Sequence, residues 1–162
     1  MPNDVTLSPY QPDHQQAFKF YPLTLDHLEF TTHPLELLKN NSQASTPVTI
    51  LAGNQIAGFF VLDVSDDRYS FTGNPNSVLL RGYSIHPDIQ GQGIAKASFR
   101  ELPSFILQNF PQYNEVVLGV NDRNEAARAV YLKSGFIDEG RRYNGSKGVQ
   151  WALHLYITKG NL

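Results

Sequence analysis

Two glycines, Gly91 and Gly93, stand between an apolar segment ending at Ile85-His86-Pro87 and a helical stretch that begins at Ile94. This strand, glycine turn and helix constrain the chain more than any other feature. Such a turn aims several backbone N–H groups at one point beside the positive end of a helix dipole, which makes a site for a diphosphate. Glycine matters there because a Cβ would obstruct the approach of phosphate oxygens to the main chain. The same turn also serves as a plain connection that binds nothing, so the glycine pair needs support from elsewhere.

Two familiar glycine loops fit poorly. A dinucleotide fingerprint needs Gly or Ala three places after Gly93, where Lys96 stands, and Ala95 comes one residue too soon. A nucleotide P-loop needs Gly-Lys-Ser/Thr, which is absent. Composition narrows the field further. The 162 residues contain no Cys, which removes disulfides, thiolate-bound zinc, iron–sulfur clusters and thiol nucleophiles together. Five scattered His give no metal-ligand spacing. Thirteen Lys and Arg against fifteen Asp and Glu leave no basic excess for gripping nucleic acid. No apolar run reaches a membrane-spanning length and the first residues carry no basic leader, so the expectation is a single-domain cytoplasmic protein over residues 1–162.

Around the turn the chain reads as a mixed sheet with helices packed on it. Residues 1–47 are cut by six prolines into short pieces, with a strand near Val5–Leu7 and helices over Pro12–Phe20 and Pro34–Asn40, the latter led by Thr32 or His33. Val48–Ala52 and Ile56–Leu62 flank Gly53-Asn54-Gln55 as a hairpin. Residues 63–76 are a polar loop, and Ser77–Ile85 is the third strand. The helix from Ile94 to about Phe110 should kink or end early at Pro103. Glu115–Val120 is a buried strand. A helix then follows with Asn124 as cap, Glu125 in its first turn, Lys133 in its last and Gly135 just beyond. Val149–Ile157 alternates with period two, and its apolar face suggests an exposed sheet edge that a second copy of the chain covers, making a homodimer.

Two blocks together carry a resemblance. Tyr83-Ser84-Ile85-His86-Pro87 followed by Gln90-Gly91-Gln92-Gly93-Ile94-Ala95 resembles the acetyl-CoA signature of the GNAT superfamily of N-acetyltransferases. At the family's usual distance, Val120-Asn121 and Asn124 through Tyr131 to Gly135-Phe136 resemble its second CoA-side block. The resemblance is strong over 78–140, an acetyl-CoA-binding core, and nearly silent over 1–47, the acceptor-side segment. It implies an α+β fold, with a mixed, largely antiparallel sheet of about six to seven strands flanked by about four helices.

The roles implied by the resemblance run residue by residue. Backbone amides of Gln90, Gly91, Gln92, Gly93, Ile94 and Ala95 would hold the CoA pyrophosphate. Backbone groups of Ser84 and Ile85 would pair with the pantetheine arm as with an added strand, and a main-chain N–H there would polarise the thioester carbonyl. Asn121 and Asn124 would contact pantetheine or phosphates, and Tyr131 would protonate the leaving thiolate, whose basicity a phenol of pKa about 10 matches. Acetyl-CoA would be the co-substrate, a primary amine of a small molecule or peptide the acceptor, with no metal, nucleic acid or membrane involved. Without cysteine, direct transfer is the simpler route.

Plainer roles exist for each residue. Tyr131 also suits an amphipathic helix with its ring in the core, Asn124 a helix cap, Asn121 a strand end, and Gln90 and Gln92 an exposed turn. The family's strand Glu is absent from Ser77–Ser84, although an alkylamine is only about one part in a thousand neutral at pH 7, a cost of roughly 4 kcal/mol. Asp63, Asp66, Asp67, His14, His27, His33 or bulk solvent remain open as the base. If Arg81 on that strand faces the acceptor cleft, it favours an anionic acceptor group over a polyamine. A non-catalytic CoA-binding module and acyl transfer to a hydroxyl are the alternative functions.

Overall fold

The computed structural model describes residues 4–158. In chain order its elements are β1 (Val5–Pro9), α1 (Gln15–Lys19), α2 (Leu25–Leu28), α3 (Pro34–Lys39), β2 (Ser45–Ala52), β3 (Gln55–Asp63) and β4 (Ser77–Ile85), then α4 (Ile94–Asn109), β5 (Glu115–Asn121), α5 (Glu125–Lys133), β6 (Ile137–Gly145) and β7 (Gly148–Tyr156). The strands form one sheet in the order β1-β2-β3-β4-β5-β7-β6. Every neighbouring pair is antiparallel except β4 with β5, which a crossover through α4 makes parallel. The α+β class and the mostly antiparallel mixed sheet match the reading of the sequence, with seven strands and five α-helices among the described residues.

Alternation along β3 divides the interior. Phe60 and Leu62 face the main core, which Val78 and Leu80 of β4, Leu118 of β5, Leu153 of β7 and Phe99, Leu102 and Ile106 of α4 complete. Phe59 and Val61 face the opposite side, where Phe18 and Tyr21 pack on them beneath α1 and α3. A smaller cluster of Phe71, Leu79, Val117 and Ala152 continues that side under the loop 64–76. Together these bury the sheet on both faces over its centre.

Two expectations need correction. Helix α4 runs from Ile94 to Asn109, close to the expected extent, so of the two effects expected of Pro103 the early end does not occur. Proline removes one backbone donor, but Leu102, Phe105 and Ile106 on either side are buried and carry the helix past it. Strand β7 is not an edge: β5 flanks it on one side and β6 on the other. The ground for a homodimer through that strand is therefore removed. The edge on that side is β6, β1 being the other, and in β6 Glu139, Gly140 and Arg141 bulge out of the ladder between Asp138↔Leu153 and Arg142↔Trp151, a device that blunts edge pairing. Among the described residues, no helix is long and apolar enough to cross a membrane.

Candidate active site

Strands β4 and β5 pair only at Ser77↔Glu115, Val78↔Val116 and Leu79↔Val117, and then diverge. A bulge in β4 re-aims the strand at this point. The β3–β4 register shifts by one residue between Phe59↔Ser84 and Val61↔Arg81, with Gly82 at φ 67°. Only glycine adopts that left-handed backbone freely, and a Cβ there would run into the Leu37 side chain. On the opposite bank, a Cβ on Gly119 of β5 would run into Phe71 and Gln150. Between the banks lies a cavity of about 840 Å³ that reaches from the glycine turn to α5 and, across the sheet, to α2.

At one end sits the N-terminus of α4. Gly91 and Gly93 have φ of 81° and 78°, and the space that a Cβ would fill at Gly91 is open. Gly93 is the N-cap, so no side chain caps the helix, and no acid stands in its first turn. The first helical bond runs from Ala97 N–H to Gly93 O at 3.1 Å, which leaves the N–H groups of Ile94, Ala95 and Lys96 without helix partners. Gln90, Gly91, Gly93, Ile94 and Ala95 line the cavity, joined by Lys96 and Lys133. Two lysines, open amides and a helix dipole suit an anionic diphosphate. Gln92 is exposed and lies outside this lining.

Next along β4, the direction of the peptide groups alternates. His86 N–H donates to Ala57 O of β3 at 2.7 Å, so Ser84 turns its peptide groups to β3 while Tyr83 and Ile85 turn theirs toward the gap. Two side chains already meet those carbonyls: Gln90 Nε2 donates to Ile85 O at 3.2 Å and Thr31 Oγ1 to Tyr83 O at 3.3 Å. The N–H groups of Tyr83 and Ile85 are thus the donors left facing the gap. Ser84 instead holds Tyr21 through a hydroxyl pair at 3.0 Å. His86 is a local organiser: its Nδ1 accepts from Asp88 N–H and its ring packs edge-on against Tyr21.

Tyr131 reaches the cleft from α5. Its position comes from a Schellman closure: Phe136 N–H donates to Tyr131 O and Gly135 N–H to Leu132 O, with Gly135 at φ 105°. The same closure sets the Phe136 ring 5.8 Å from Tyr131, and Phe99 and Tyr83 box the remaining sides at 5.4 and 6.2 Å. The hydroxyl has no hydrogen-bond partner among the described residues, and burial raises its pKa well above 10, so the phenol keeps its proton. Asn124 caps α5, its Oδ1 accepting from Ala127 N–H at 3.3 Å. Asn121 is held by Lys147 O at 3.0 Å and by Arg123 N–H at 2.9 Å. Both asparagines line the cavity.

A second cavity, about 420 Å³, adjoins the first on the other side of the gap, sharing Phe30, Leu80, Arg81, Gly82, Gly119 and Gln150 with it. Of the base candidates, His27 lines the first cavity and Asp67 the second. Asp63 is buried and paired with Arg81 at 3.2 Å. His14 is bonded to Thr49, and His33 to Tyr21 O and Leu35 N–H. These two and Asp66 line neither cavity. The sequence reading missed Lys96, Lys133, Thr31 and Phe30. Lys96 was legible as charge just after the glycine turn, whereas Lys133 comes from the last turn of α5 and Thr31 and Phe30 from a helix–turn segment without periodicity.

Residues 10–136 match the Acetyltransferase (GNAT) family. The chain is similar to the uncharacterized N-acetyltransferase YbbJ of Bacillus subtilis (strain 168), 38% identical over 160 residues that cover 97% of this chain and all of that one. The fold resembles the aminoglycoside acetyltransferase AAC(6')-Ib solved with acetyl-CoA and paromomycin (TM-score 0.74, 15% identity, 97% of this chain and 94% of that one). It also resembles the spermidine N-acetyltransferase of Vibrio cholerae solved with CoA and spermine (TM-score 0.67, 16% identity, 99% of each). With the family matched over most of its length and a relative alike from end to end, the chain belongs to the GNAT family of N-acetyltransferases.

Proposed function

We propose that this chain transfers acetyl from acetyl-CoA directly to a primary amine of a small molecule or peptide, acting as one domain whose residues 1–47 form the acceptor side. The observation that carries the reading is the continuous gap between β4 and β5, which leads from the uncapped start of α4 to the hydroxyl of Tyr131. Amides of Gly91 to Ala95 and the lysines Lys96 and Lys133 hold the diphosphate, with Gln90 fixing the turn through Ile85 O. The N–H of Ile85 pairs with the pantetheine arm, and Asn121 and Asn124 border it.

At the thioester, the neutral amine gives its electron pair to the carbonyl carbon and a C–N bond forms. Main-chain N–H groups of β4 that face the gap stabilise the oxygen that becomes negative. The C–S bond then breaks, its electron pair leaves on sulfur, and Tyr131 supplies the proton. The amine's surplus proton passes to solvent, directly or through His27 or Asp67. The raised pKa keeps Tyr131 protonated as the step begins but also makes it a weaker acid than a free phenol, so its proton moves only as charge builds on the departing sulfur.

Calorimetry with CoA, paired with thiol release from acetyl-CoA over an amine panel, tests the reading. Wild type should bind CoA, and Gly93→Val, which forces a branched residue into φ 78°, should bind about tenfold more weakly. No binding heat from folded protein overturns the reading. Binding without thiol release from any amine favours a non-catalytic CoA module instead.

A further inference from the structure

The second cavity speaks to what is acetylated. Its lining residues include two charged ones, Arg81 and Asp67, among aromatic walls from Phe30, Phe71 and Tyr143. Arg81 lies one residue before the bulge glycine, on the β4 face opposite the main core, and its side chain is 42% exposed. One terminal nitrogen stands 3.2 Å from Asp63 Oδ2, and Asp63 is 3% exposed, with its other oxygen accepting from Ser65 N–H at 2.7 Å. The contact is an ion pair, and the guanidinium has no side-chain hydrogen bond to a described residue. It is therefore a planar donor fork with one nitrogen beside a buried carboxylate and its donors available to the cavity that it lines.

That arrangement does not suit a polycation. Several carboxylates would be needed to receive several ammonium groups, but Asp67 is the single acidic residue in this cavity's lining, and a polyamine there would lie against the guanidinium's positive charge. An acceptor of both signs leaves neither Arg81 nor Asp67 unmatched. Pinning by Asp63 also lowers the conformational entropy lost when Arg81 takes a carboxylate.

Resting on the acetyl-transfer reading above, we infer that the acceptor is a small amino-carboxylate: its amine sits at the gap between Gly82 and Gly119, and its carboxylate is read by Arg81. A cavity of about 420 Å³ has room for an amino acid or a short peptide's free end.

The test compares matched pairs, amino acids and dipeptides against their C-terminal amides, with spermidine and kanamycin alongside, by thiol release from acetyl-CoA. CoA binding is measured separately on the same protein. Free carboxylates should be turned over with kcat/KM at least tenfold above their amides and above both polycations. Because Arg81→Gln alone strands a buried carboxylate, the variant is Asp63→Asn with Arg81→Gln, and Arg81→Lys is a second one that keeps the charge without the fork. The double variant should erase the carboxylate–amide ratio by raising KM while kcat holds, and Arg81→Lys should fall between. Equal use of acids and amides, preference for a polycation, or a ratio that survives in the double variant overturns the inference. So does CoA binding with no carboxylate acceptor turned over. In each case turnover of another amine would leave the acetyl-transfer reading standing, whereas absent CoA binding defeats that reading first.

Discussion

Tyr131 illustrates how much of a single side chain's chemistry its neighbours decide. Phe136, Phe99 and Tyr83 hold the ring, and the desolvation they impose raises the phenol's pKa. An acid with a raised pKa remains a donor through and beyond pH 10, so the kcat profile should show no alkaline decline below about pH 10. A limb near neutrality that Tyr131→Phe abolishes would contradict the assignment. Tyr131→Phe itself should lower kcat about 100-fold and leave CoA affinity unchanged, since the phenyl ring keeps the packing; a variant with full turnover would remove the acid role. The sequence disclosed Tyr131 and the glycine turn because both are local patterns. It did not disclose that Ser84 and Ile85 point opposite ways, because peptide direction depends on where β3 pairs, and the bulge that sets this appears in the sequence only as one glycine, Gly82.

Among elements, the bulge in β4 and the bulge in β6 do complementary work. The first opens the gap: Gly82→Ala would place a Cβ against Leu37 on a left-handed backbone and should cost about 2 kcal/mol or more of stability, read by chemical denaturation. Wild-type stability in that variant would show that the bulge is not constrained as described. The second throws Arg141 onto the loop 64–76, where Nη2 donates to Tyr69 O at 3.0 Å and Nε to Ser70 O at 3.4 Å. Glu115 holds the same loop from beneath through Thr72 at 3.1 Å and Asn74 at 3.0 Å. That loop carries Asp67 and Phe71 into the second cavity. Arg141→Ala should therefore raise the acceptor KM roughly fivefold, with CoA affinity intact, and an unchanged KM would uncouple the loop from the acceptor. Strand β6 itself was illegible, because Asp138-Glu139-Gly140-Arg141-Arg142 offers no apolar alternation and almost all of it is exposed. The short helix α2 was missed as well; its start is set by Thr24 and His27 rather than by an apolar stripe.

At the scale of the whole molecule, burial raises the pKa of Tyr21, Tyr83 and Tyr131 together. In the unfolded chain these phenols ionise near pH 10, while in the folded chain they stay protonated. Above about pH 10 the unfolded state therefore binds fewer protons than the native one, and stability falls as pH rises; below it these groups add no pH dependence. Urea midpoints measured from about pH 8 to about pH 11 should be level at first and then decline, and a flat series would refute the shared burial. The strand order carries a last consequence. Because β7 lies between β5 and β6 but follows both in the chain, it joins two parts of the sheet made before it. A nascent chain halted before Gly148 leaves β6 unattached and one side of β5 bare, so the banks of the gap cannot both be braced until translation has passed Tyr156.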